Sequence, residues 1–146
     1  MFNFRLQSIL DVRKMQEHKV LQEFSQQQRE LQRANEQLQS IQRQKMALID
    51  ELRNVQGKTV NISEITMNAE SIKQCLKSEA HQKEQVKETA RIAGIKREAL
   101  FDAIKKRKSM EILKTRQYNQ HQSDLNLLDR TAIDEMALVR HNRKEE

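Results

Sequence analysis

The chain has 146 residues, a net charge of +6, 33% charged residues, 3% aromatic residues, and neither proline nor tryptophan. So few bulky side chains cannot fill a large globular core, and no stretch approaches the ~18 apolar residues of a membrane span. What remains, a chain rich in Gln, Glu, Lys, Arg and Leu with a mean hydropathy of -0.90, suits either disorder or long helices, and the periodicity of its apolar residues decides for helices.

The opening MFNFRLQSIL is interrupted by Arg5 and Gln7, so no secretory signal is expected there. Cys75 stands alone, which precludes an internal disulfide and points to no oxidising compartment. A cytoplasmic protein is the expectation.

The first predicted element is a helix over about residues 3–56. Positions alternating by three and four give one set of Asn3, Leu10, Glu17, Phe24, Leu31, Leu38, Lys45 and Leu52. The interleaved set is Leu6, Arg13, Val20, Gln27, Ala34, Ile41, Leu48 and Val55. Eleven of these sixteen are apolar, and the sites between are mostly Gln, Glu, Arg and Lys. One narrow apolar stripe on a polar helix needs a second helix against it.

The pattern then breaks at VQGKTVNIS, Val55–Ser63. The letters GKT are not the tail of a phosphate-binding loop. Such a loop needs a glycine five places before Gly57 and a strand ahead of it, and that place holds Leu52 in a helical heptad. A turn over about residues 57–61 is predicted instead. Gly57 is suited to ending a helix, Thr59 and Val60 are β-branched, and Asn61 can cap the next helix with Glu64 reaching back.

A second helix is predicted over about 62–141. Its seam is taken as Ile62, Ile65, Ala69, Ile72, Leu76, Glu79, Lys83, Val86, Ala90, Ala93, Arg97, Leu100 and Ile104. It is polar at Arg107, Glu111 and Lys114, and resumes with Tyr118, Leu125, Leu128, Ala132 and Val139. Gly94 is a soft spot of roughly 1 kcal/mol relative to Ala. The short connection makes the helices antiparallel. The fold class is therefore all-α, an antiparallel two-helix coiled-coil hairpin in one domain, with a longer, protruding C-terminal helix.

With the turn near residue 59, residue i should face about residue 118 minus i, which leaves roughly 24 residues, or about 36 Å, without an intramolecular partner. That overhang still carries Leu125, Leu128, Ala132, Met136 and Val139. The same pairing places Lys105, Lys106, Arg107 and Lys108 beside Arg13 and Lys14. Arg130, Arg140, Arg143 and Lys144 lie further along. The open end is thus basic. A charge run is ordinarily a solvated helix face; here it coincides with an apolar stripe that needs a cover, from a partner or from a second copy.

No catalytic chemistry, cofactor or metal is expected. His18, His81, His121 and His141 lack ligand spacing, and a two-helix hairpin offers no enclosed pocket.

The segment FRLQSILDVRK (Phe4–Lys14), followed by the Gln-rich arm, resembles the start of the flagellar export stalk proteins, the FliJ family. REALFDAIKKRKSMEILKTRQ (Arg97–Gln117) is similar to that family's basic segment, and DEMALVRHNRK (Asp134–Lys144) to its closing one. The resemblance implies an antiparallel coiled coil in the cytoplasmic ATPase complex of flagellar type III protein export, peripheral to the inner membrane, serving flagellum biogenesis and motility. It implies that the open basic end enters a hexameric export ATPase ring and promotes its assembly and activity. Carried over by position, the ring-contacting residues are Arg5, Arg13, Lys14, Lys105, Arg107, Lys108, Arg130, Arg140 and Arg143. It further implies contact with the cytoplasmic domain of the export-gate membrane protein, here through Met67, Ile72 and Leu76, and handling of export chaperones. Relatives that use aromatics for the gate differ from this chain, which has none in that region.

Three other readings compete. The equivalent stalk of a virulence secretion system shares the architecture. A nucleic-acid-binding coiled coil would use the basic end, but stacking aromatics are scarce and Asp11, Glu17, Glu98, Asp102 and Glu111 sit among the bases; no nucleic-acid partner is expected. A prefoldin-like chaperone would want hairpin strands that the sequence lacks.

Overall fold

The computed structural model describes residues 1–55, 59 and 61–143. Two helices make up nearly all of them: α1, Gln7–Val55, and α2, Ile62–Asn142, packed against each other as a helical hairpin with no strand among the described residues. Gly57, Lys58 and Val60, on which the predicted helix stop rests, lie outside the described residues. The predicted start of α2 is present. The Asn61 side-chain oxygen accepts from the Ser63 N–H at 3.2 Å, and its carbonyl accepts from the Glu64 and Ile65 N–H groups. Glu64 adds an acid to the first turn, where it complements the helix dipole.

By contacts the chain divides into two compact units: Met1–His18 with Asp102–Glu146, and Lys19–Phe101. In the Lys19–Phe101 unit the apolar sites of α1 fall where their spacing predicts. Val20, Phe24, Leu31, Leu38, Ile41, Leu48, Leu52 and Val55 are half-buried, and Ala34 is buried. The α2 side departs from the prediction. Ile65, Ile72, Glu79, Val86, Ala93 and Leu100 are shielded as expected, but the interleaved sites lie one residue earlier. They are Asn68, Cys75, Gln82, Thr89 and Lys96, while Ala69, Leu76, Lys83, Ala90 and Arg97 are exposed. Ile62 is also exposed. The reason is chemical. An apolar count favours Ala69, Leu76 and Ala90 over Asn68, Cys75 and Thr89, and two of the true sites, Gln82 and Lys96, are polar groups that bond across to α1.

Gln82 is the clearest case. Its side-chain amide is buried and donates to the Ala34 carbonyl at 2.9 Å and to Gln37 Oε1 at 3.3 Å. The small Ala34 side chain leaves its backbone carbonyl within reach. Three residues away on α2, Glu79 is buried and held by Lys45 at 2.5 Å, Lys83 at 3.1 Å and Gln42 at 3.3 Å. Lys96 reaches Glu23 at 3.0 Å. A carboxylate taken out of water stays charged only if cations and donors replace its hydration. The Lys45 contact above all, then Lys83, holds the Glu79 carboxyl down at about 2, from an ordinary 4.5.

In the other unit α1 begins at Gln7, later than the predicted start near residue 3. The first four residues instead run alongside α2. Phe4 is buried, and the Phe2 ring meets Tyr118 edge-on at 5.4 Å and His121 at 5.7 Å. Burying two aromatic rings outweighs one more helical turn in a chain that has so few of them. Leu10 is the most deeply buried large side chain, 1% exposed. On α2 the shielded sites are Ala103, Arg107, Met110, Lys114 and His121, with Ile104, Glu111 and Leu113 half-buried beside them. Met110 therefore occupies the seam place predicted for Glu111.

Candidate functional site: the end of α2

Within the first unit the helix pairing ends at His121 and Gln122. These two are half-buried, whereas every residue from Ser123 to Arg143 is exposed. The predicted boundary at Tyr118 moves about one turn outward because the Phe2 ring reaches Tyr118 and His121, although Tyr118 itself stays 46% exposed. The exposed stretch of 21 described residues spans about 32 Å at ~1.5 Å per residue. Along it Leu125, Leu128, Ala132, Met136 and Val139 share one side, at spacings of three, four, four and three. Met136 and Leu128 are about two-thirds exposed. At ~100° per residue these five stay within about an 80° arc.

This stripe does not continue the intramolecular seam. Strict continuation from His121 would run through Asp124, Leu128, Thr131, Glu135 and Leu138, a mostly polar series. From Leu125 to Met136 the stripe advances 11 residues in three turns, a local period slightly longer than that of a straight helix, whereas the seven-residue seam needs a left-handed supercoil. The end of α2 is thus patterned for contacts other than those the first helix makes.

The predicted basic residues separate into two classes. Arg107 is a seam residue. Its guanidinium bonds both the Glu17 carboxylate on α1 and Glu111 at 2.6 Å, and those two carboxylates raise its already high pKa. Arg13 is half-buried and donates to Gln16 at 3.3 Å. Lys114, which the basic set omits, donates to Gln7 at 2.8 Å. By contrast Arg5, Lys14, Lys105, Lys108, Arg130, Arg140 and Arg143 are exposed. Lys105 and Lys108 project away from the seam, being about 200° and 100° round the helix from Arg107. Ala132, Glu135, Met136, Val139, Arg140 and Arg143 line one shallow surface patch.

The three residues carried over as the gate contact are not on one face. Ile72 lies in the seam of the Lys19–Phe101 unit, half-buried, while Met67 and Leu76 are exposed. Nine residues separate Met67 from Leu76, which puts them on opposite sides of α2.

The seam sites Asn68, Gln82, Thr89, Lys96 and Met110, and the packing of Phe2 and Phe4, are not marked by the heptad pattern. Two of the chain's four phenylalanines within its first four residues were the available signal for Phe2 and Phe4. The described residues hold no cluster of three or more His, Cys, Asp or Glu side chains that could bind a metal, and no helix among them is long and apolar enough to cross a membrane.

A family model described as flagellar FliJ protein matches residues 1–146, the whole chain. No curated protein and no solved structure matches it.

Proposed function

The chain belongs to the family of flagellar FliJ proteins, and from that premise we propose that this stalk-type component of the flagellar export apparatus inserts the end of α2 into the hexameric export ATPase ring. The observation that carries the reading is the apolar stripe Leu125–Val139, exposed on a helix that bears exposed Arg130, Arg140 and Arg143 along the same stretch and exposed Lys105 and Lys108 about five turns before it. Apolar side chains on a thin helix fit a narrow channel that strips water from them, and the bases at its far end, Arg140 and Arg143, would lead it toward an acidic channel mouth, with Asp124, Asp129, Asp134 and Glu135 lying further back. A solvated, functionless helix end would need no such stripe.

The ring contact rests on the exposed bases, with Arg107, bonded across to Glu17 on α1, assigned to holding the hairpin together. The helix would act by contact alone, promoting ring assembly and the ATPase's own turnover. Contact with the export gate is proposed through the exposed Leu76 or Met67, which would hold the protein at the inner membrane from the cytoplasmic side. A role in passing on export chaperones belongs to the same reading.

The test is a triple variant, Lys14→Glu, Lys105→Glu and Lys108→Glu, with Arg107 kept. Stimulation of the purified export ATPase should fall about tenfold or more, at unchanged helicity, and the loss should grow less steep as salt is raised. Full stimulation by the triple variant would remove the basic residues from the mechanism.

A further inference from the structure

The exposed stripe is also built to meet itself. Its five residues are spaced three, four, four, three about Ala132, so the series reads the same in both directions: Leu125, Leu128, Ala132, Met136, Val139. Two copies laid antiparallel with the two Ala132 residues at the crossing would set Leu125 against Val139 and Leu128 against Met136. This is a self-complementary arrangement of the kind a two-fold axis requires. The smallest side chain of the stripe falls at the crossing, where the two backbones come closest.

The charges follow the same symmetry. Asp124, Asp129, Asp134 and Glu135 lie in the first part of the exposed stretch, and from Met136 to Arg143 there is no acid, only Arg140, His141 and Arg143. Antiparallel alignment brings Arg140 of one copy toward Asp129 of the other, with about five residues of axial offset for the long side chain to cover. It likewise brings Arg143 toward Asp124. On the other flank Glu135 comes toward Asp124 of the other copy at the same offset, so the attraction comes from Arg140 and Arg143, whereas parallel alignment would stack every acid on an acid and every base on a base. Asp124 already accepts from Gln120 at 2.8 Å, within its own helix, and retains a second carboxylate oxygen for a guanidinium.

We propose that the chain forms a reversible two-fold dimer through this segment, the partner being a second copy of itself. The dimer covers the stripe Leu125–Val139. If the ring reading above is correct, pairing and ring entry exclude each other, and the dimer is the form of the protein not engaged with the ATPase; the pairing itself does not depend on that reading.

Sedimentation of the full chain alone, over a wide concentration range and at low and high salt, tests it without the ATPase. A monomer–dimer equilibrium that weakens with salt is expected. A variant carrying Arg140→Glu and Arg143→Glu, and another carrying Asp124→Arg and Asp129→Arg, should each dissociate about tenfold or more readily. Mixed one to one, the two variants should associate with each other, because opposite charges again meet along both ends of the pair. Ala132→Arg should abolish association at unchanged helicity. A wild-type chain that stays monomeric at every concentration overturns the proposal. So does a mixture of the two charge variants that associates no better than either alone.

Discussion

Replacing Leu10 with Ala separates the paired part of the molecule from its exposed end. Leu10 is 1% exposed, whereas Leu128, the same residue type on the free stripe, is 63% exposed. Removing a buried leucine's outer carbons forfeits their transfer from water and leaves a partly filled cavity. Such changes cost about 2–5 kcal/mol in closed cores. A two-helix seam has solvent on both sides and collapses more easily, so Leu10→Ala should lie at the lower end, about 2–3 kcal/mol. For a chain of this size that lowers the melting temperature by about 6–10 °C. Leu128→Ala should change stability by no more than about 0.5 kcal/mol. The assay is built into the protein. Tyr118 is its single tyrosine, tryptophan is absent, and Tyr118 sits against Phe2. Tyrosine fluorescence therefore reports unfolding of the unit that holds Leu10. Equal shifts for the two variants, or a larger one for Leu128→Ala, would refute the assigned limits of the seam.

Two further predictions concern the charged seam. Glu79 has a folded-state pKa depressed to about 2 from 4.5, so its stabilising effect is full above about pH 4.5 and is lost as pH falls toward 2. Urea midpoints measured across that window should fall with acid in the wild type, and Glu79→Gln should flatten that part of the profile; an unchanged slope would contradict the assignment. Arg107→Glu puts a third carboxylate beside Glu17 and Glu111 and should lower the tyrosine-monitored transition, while Lys105→Glu leaves it in place. The reverse order of effects would mean that Arg107 is a surface residue.

The hairpin was legible because α1 writes its buried stripe in large apolar residues: from Leu6 to Val55 every site of the predicted series is at least half-shielded, polar members such as Glu17, Gln27 and Lys45 included. The register of α2 was not legible. Asn68, Cys75, Gln82, Thr89 and Lys96 form one of its two interleaved sets, and Gln82 and Lys96 are recognised as seam residues only once their partners on α1 are known. Gln82 bonds a backbone carbonyl, which leaves no trace in the sequence of the partner beyond a small side chain at Ala34. The basic set rests on composition and approximate register alone. Charge counting could not separate Arg107, clamped between two carboxylates, from Lys105 and Lys108 on the outer side. The exposed stripe was legible because its apolar residues continue past the reach of the first helix. Its three-four-four-three spacing, which departs from the heptads before it by the one-residue shift to Met136, was also present in the sequence, and the structure adds where the pairing with α1 ends, at Gln122.

The most direct measurement is on the chain shortened to end at Gln122, followed by both tyrosine fluorescence and stimulation of the export ATPase. The melting transition should stay within about 1–2 °C of the full chain's, and stimulation should be lost. A lowered transition would make the end of α2 part of the folded hairpin, and retained stimulation would show that the ring is engaged elsewhere; either result contradicts the account.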